Sequence, residues 1–156
     1  MYKLITEISK RCHASATKRG KDTSCVGCIK YLRDELAEYW AAYDAGRTCE
    51  NLRDIIVQAA TLHYDKFVEF YDDHIHNTTV DELADILITA ASYYEAVRLS
   101  LADEGEDQQP QGRTIDELIL NGAVRFVCSR VLSPVDVNML HWIVLCKMHY
   151  NDLRED

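Results

Sequence analysis

Apolar residues recur along this chain at helical spacing, and the breaks between the runs are marked by recognisable start and stop signals. Leu4, Ile5 and Ile8 share one side of a short amphipathic segment over 2–14, followed by a basic loop rich in Ser, Thr, Gly and Lys up to about Cys25. Residues 26–45 place Ile29, Leu32, Leu36, Tyr39, Trp40 and Tyr43 at helical intervals, and Gly46 supplies the stop. Asn51 is the expected N-cap of a third helix that runs unbroken through Tyr71 and frays near His74 to Asn77. Thr79, with Glu82 three residues on, forms a capping-box pattern opening a helix to about Leu101. The polar stretch 103–113, with Pro110 and Gly112, is a loop, either a lid or a simple connector. Thr114 and Glu117 repeat the capping-box pattern for a helix to about Leu132, and Ser133 with Pro134 opens a last one through Tyr150. No segment alternates as a strand would. The pattern predicts an all-α fold, a bundle of five or six helices in one domain over 1–156, with 114–152 as a C-terminal helical extension.

The segment from Val80 to Val97 is apolar nearly all round, so it is expected to be buried. Glu82, Asp85, Thr89 and Ser92 fall on one stripe of it. An earlier helix carries Asp34, Glu35 and Glu38. The i, i+3 spacing puts Glu35 beside Glu38, and Glu82 beside Asp85, about 5–6 Å apart. Two carboxylates at about 5 Å repel by roughly 3 kcal/mol at an effective dielectric near 20, so such a set needs protons or cations to persist in a core. All-oxygen donors suit hard ions, and Mg²⁺ in particular takes a few carboxylates, waters and substrate phosphates. The plainer alternative is that Glu82 only completes its cap, Asp34 pairs with a nearby basic residue, and both motifs are solvated faces.

Asp34-Glu35-Leu36-Ala37-Glu38 followed by Glu82-Leu83-Ala84-Asp85 resembles the E-E-x-x-E and E-x-x-D signature of the MazG-like, all-α nucleoside triphosphate pyrophosphohydrolases. The segment ISKRCHASATKRG, from Ile8, is similar to a helix with His, Ala and a Lys-Gly pair that precedes the signature in some members. The likeness spans roughly residues 5 to 100. It implies cleavage of a nucleoside triphosphate between the α and β phosphates, giving a monophosphate and pyrophosphate, with Mg²⁺ as cofactor and Mn²⁺ as a substitute. It also implies that Glu35, Glu38, Glu82 and Asp85 are the metal ligands, that Glu35, Glu38 and Asp34 serve catalysis, Asp34 by assisting the site or orienting water, and that the chain forms a homo-dimer or tetramer. The competing function is a catalytically silent helical oligomerisation or nucleotide-binding module.

Composition sharpens this in three places. Only 2 prolines and 6 glycines punctuate 156 residues, which favours long helices. The net charge of -9 argues against nucleic acid or anionic membrane as partner. That charge is divided, however: in residues 1–21 six basic side chains oppose only Glu7, a net of +5, leaving -14 for the rest. Lys18, Arg19 and Lys21 are therefore the candidate phosphate contacts, with a solvated basic arm as the alternative. The N-terminus has charges where a secretory leader needs an apolar core, which places the chain in the cytoplasm and its six cysteines as reduced thiols. Cys25-Val-Gly-Cys28, with Cys12 and His13, offers zinc ligands, but a single C-x-x-C more often means buried thiols. His74 and His76 fall in an expected solvated break, His141 and His149 on the last helix in packing or interface roles, and Tyr31, Tyr39, Trp40 and Tyr43 in the core or a dimer contact rather than stacked on a base.

Overall fold

The computed structural model describes residues 1–103, 105, 114–131 and 134–154. Among them are seven helices and no strand: α1 (Tyr2–Lys18), α2 (Cys25–Asp44), α3 (Leu52–Ala60), α4 (Tyr64–His74), α5 (Thr79–Asp103), α6 (Thr114–Ser129) and α7 (Pro134–Leu153). The fold is all-α, as the periodicity predicts, with seven helices in place of five or six. Except for Asp103 and Gly105, the polar stretch 103–113 lies outside the described residues, as does Ser133; α7 opens at Pro134 as expected.

The chain divides into two units, one made of residues 1–33 and 86–130, the other of 34–85 and 131–156. Helices α2 and α5 contribute residues to both.

In the first unit, α1 runs a full turn past its expected end and buries Leu4, Ile5, Ile8, Cys12 and Ala16 along one stripe. The start of α2 is fixed by hydrogen bonds that the sequence pattern did not flag. The Ser24 hydroxyl accepts from the Gly27 N–H at 3.1 Å, and Asp22 accepts from the Ser24 N–H at 3.0 Å. A Cβ on Gly27 would sit 2.3 Å from the Asp22 carbonyl oxygen, so only glycine fits this cap. The α5 residues of this unit are buried almost continuously from Ile86 to Val97, as expected for a helix apolar all round, with Thr89 alone half-buried. Tyr93 donates to Asp116 of α6 at 2.6 Å.

In the second unit α7 packs on α3 and α4, and α3 on α4. The single helix expected from Asn51 to His74 is two helices. Thr61 competes for its own helix's carbonyls: its hydroxyl donates to Gln58 O at 2.7 Å, and its N–H goes to the same oxygen at 3.1 Å, closing α3. His63 is then extended, and Tyr64 restarts the helix at φ 45°. Asn51 precedes α3 as expected but caps nothing with its side chain; it sits in the left-handed region, which Asn tolerates. Tyr71 of α4 stacks on Tyr150 of α7 with ring centroids 4.4 Å apart, and Phe67 meets His149 at 4.7 Å.

Candidate metal centre

The second unit brings the acidic residues of α2 and the first turn of α5 together. The Thr79 N–H donates to Arg47 O at 2.9 Å, tying the start of α5 to the chain that leaves α2. The capping carboxylate of α5 is Asp81, one position from the expected Glu82: Asp81 Oδ2 accepts from the Asn77 N–H at 2.9 Å, while the Thr78 hydroxyl turns to Ile75 O. That one-residue shift in capping register leaves Glu82 free of cap duty.

Glu35, Glu38 and Glu82 each present a carboxylate oxygen within 4.8 Å of the others. Among the described residues they are the only group of three or more His, Cys, Asp or Glu side chains so arranged. The set grades from solvent to core, with Glu38 exposed, Glu35 half-buried and Glu82 buried. Glu82 Oε2 is sealed from solvent and has no hydrogen-bond partner. A buried, unsatisfied carboxylate oxygen is costly, and a hard cation is the ligand that three convergent carboxylates satisfy best. Burial, followed by the charges of Asp85, Asp81 and Glu38, pushes the Glu82 carboxyl up to about 7, against the opposing pull of Lys147. The donor set thus fits a divalent cation on two grounds, its all-oxygen chemistry and the orphaned oxygen at its buried end.

Asp85, expected in the same set, is not part of that group. Its Oδ2 accepts from the Lys147 ammonium at 2.9 Å, and the same ammonium donates to Asp81 Oδ1 at 2.9 Å. Asp34, also expected at the site, is exposed on α2. Lys18, Arg19 and Lys21 belong to the first unit, where Lys18 ends α1, Arg19 caps it, and Lys21 lies over the Tyr31 ring at 5.2 Å.

The network around Lys147 was not anticipated. Asp81 is completely buried and accepts four hydrogen bonds: Tyr71 Oη and Lys147 Nζ on Oδ1, His76 Nδ1 and the Asn77 N–H on Oδ2. Four donors fill the capacity of a carboxylate. Burial pushes the Asp81 carboxyl up, but the His76 hydrogen bond and the Lys147 charge outweigh it and hold the group below its ordinary range. An ionised carboxylate only accepts, so His76 Nδ1 carries a proton; His76 is an anchor of α5 and not the solvated loop residue expected. His74, by contrast, is exposed, its ring 4.4 Å from Phe70. Lys147 is 2% exposed. Burial alone would lower its pKa, yet Asp85 and Asp81 raise it, so the ammonium stays charged.

Cys12, His13, Cys25 and Cys28 form no such group. His13 Nε2 meets Thr23 O at 3.2 Å, and burial pushes the Cys28 thiol up to about 11, which makes it an inert packing residue. In the aromatic set Tyr39 is buried as expected, whereas Trp40 and Tyr43 are exposed. No helix among the described residues is long and apolar enough to cross a membrane.

No protein-family model, curated protein or solved structure matches the chain.

Proposed function

We propose that this protein is a Mg²⁺-dependent nucleoside triphosphate pyrophosphohydrolase that cleaves between the α and β phosphates, releasing a nucleoside monophosphate and pyrophosphate. The observation that carries this reading is the convergence of Glu35, Glu38 and Glu82 within 4.8 Å, with a buried Glu82 oxygen that lacks a partner. Glu35, Glu38 and Glu82 would hold the cation. Bound there, such an ion neutralises phosphate charge, activates water and stabilises the leaving pyrophosphate, chemistry that asks the protein mainly for positioning.

The chain's own contribution is order and charge. The hydrogen bond from Thr79 to Arg47 and the Asp81 cap fix where Glu82 stands, and the helical spacing of Glu35 and Glu38 fixes the other two. Lys18, Arg19 and Lys21 are the proposed counter-charge for the triphosphate. A homo-oligomer belongs to the same reading, by its resemblance to the MazG-like family, and a cytoplasmic setting is proposed alongside it.

The test is incubation of the purified protein with a panel of ribo- and deoxyribonucleoside triphosphates and Mg²⁺, assayed for pyrophosphate. Release from at least one nucleotide, lost in Glu38→Gln with the melting curve retained, is the expected result. No pyrophosphate from any nucleotide, together with no thermal shift on adding Mg²⁺ or Mn²⁺, overturns it. One observation favours a second reading, a silent helical binding module: the protein's own cation, Lys147, already neutralises Asp85.

A further inference from the structure

The acidic residues of the second unit fall into two sets with different partners. Glu35, Glu38 and Glu82 face one another, and the buried Glu82 oxygen has no hydrogen-bond partner. Asp81 and Asp85, four residues apart on α5, instead share one ammonium, each at 2.9 Å from Lys147 Nζ. That ammonium is held from several sides. Asp81 is itself fixed by Tyr71, His76 and the Asn77 N–H, and the Tyr71 and Tyr150 rings lie 5.8 and 5.5 Å from Nζ. Lys147 therefore cannot leave without stranding a fully buried carboxylate. A two-ion phosphoryl-transfer centre needs ions about 3.5–4 Å apart and enough carboxylates to hold both. Here the second group of carboxylates is already occupied by a tethered cation.

We propose that Lys147 is a positioning residue that neutralises Asp85 and keeps it out of the ligand set, so the centre takes one divalent cation per chain, on Glu35, Glu38 and Glu82. This rests on the metal-centre reading above, and it departs from that reading's resemblance-based expectation that Asp85 is a ligand. The ammonium does for the Asp81–Asp85 pair what a second metal ion would otherwise do.

The experiment is Mn²⁺ titration of the intact protein by calorimetry, with electron paramagnetic resonance counting free ion, on the wild type, Asp85→Asn, Glu82→Gln and Lys147→Gln. Asp85→Asn keeps the Lys147–Asp81 pair, so folding is not at stake. The wild type should bind one Mn²⁺, Asp85→Asn should still bind one with affinity reduced by no more than about tenfold, and Glu82→Gln should lose binding. If Lys147→Gln folds, it should bind two ions, because the Asp81–Asp85 pair is vacated; a merely structural lysine would leave the count unchanged. Two ions in the wild type, a larger loss in Asp85→Asn, or a single ion in a folded Lys147→Gln overturns the role of Lys147. No Mn²⁺ bound by the wild type, or full binding by Glu82→Gln, overturns the metal centre itself and this inference with it.

Discussion

Lys147 donates to Asp81 at 2.9 Å across 66 residues of chain, and both side chains are sealed, at 3% and 1% exposure. The pair ties α7 to the first turn of α5, the turn that carries Glu82. Removing the ammonium leaves Asp81 and Asp85 without their cation in a poorly solvated place, which costs about 3–5 kcal/mol when one partner of a buried pair is lost. Lys147→Met is therefore expected to lower unfolding free energy by that amount. Asp81→Asn combined with Lys147→Met should cost less than the sum of the two single changes, because the stranded charge is gone. Urea denaturation of the three variants measures this; a Lys147→Met cost below about 1 kcal/mol would show the pair to be dispensable.

Acid should attack the same anchor. Asp81 lies below its ordinary 3.8, at about 2. A carboxyl whose folded pKa is depressed contributes stability that is present above the unfolded value and lost as pH falls through the folded one. Stability should thus drop between about pH 4 and 2, with the Tyr71 and His76 contacts failing together. In Asp81→Asn this part of the acid limb should be missing. Denaturant midpoints measured across that range decide it, and an acid limb of the same depth in the variant would assign the effect to other groups.

Much of this was legible in the chain and some was not. The burial of α5 followed from Leu83, Ala84, Ile86, Leu87 and Ile88 lying on every side of the helix, and the closeness of Glu35 to Glu38 followed from their spacing. That Glu82 joins them depends on a tertiary contact, Thr79 to Arg47, that periodicity does not encode. Asp81 is an acid in the first turn of α5, a place the helix dipole alone accounts for, so nothing local marks it. The signal for its true role was at the far end of the chain: Lys147 is a lone charge amid Ile143, Val144, Leu145, Cys146 and Met148, on the buried side of α7. The break at Thr61 was lost because a single β-branched residue with a competing hydroxyl barely perturbs an apolar pattern that continues on both sides.

That break carries strain. Tyr64 begins α4 at φ 45° with its side chain 73% exposed, so it occupies the left-handed region with little packing in return. The steric cost for an L-residue there is about 1–2 kcal/mol, and glycine avoids it while giving up roughly 0.5–1 kcal/mol in chain entropy. Tyr64→Gly should raise stability by up to about 1 kcal/mol, seen as a higher melting temperature. A lower one would mean that the exposed ring contributes contacts that outweigh the strain.

The basic N-terminal segment gives a kinetic prediction. If Lys18, Arg19 and Lys21 supply counter-charge to the triphosphate, replacing all three with Glu should raise KM at least tenfold, equivalent to about 1.4 kcal/mol, with a smaller effect at high salt. An unchanged KM at low salt would return this segment to a solvated arm.

Glu82 gives the sharpest link between stability and ligand. Its carboxyl is pushed from 4.5 up to about 7 by burial and by its acidic neighbours, and it is 3% exposed. A carboxyl raised in the folded state costs nothing while both states are protonated. It destabilises progressively as pH rises from about 4.5 to 7, and the full penalty, about 3 kcal/mol for a shift of this size, is present above that. Glu82→Gln, without divalent ions, should therefore melt like the wild type near pH 4 and at a higher temperature at pH 8. Added Mn²⁺ should invert the order at pH 8, since the cation stabilises only the protein that keeps the carboxylate. Binding near pH 6.5 should also release a proton, read from titrations in buffers of different ionisation enthalpy. If Glu82→Gln is less stable than the wild type at pH 8 without metal, the buried oxygen has found a partner that the change removes, and the electrostatic account of the centre fails at its core.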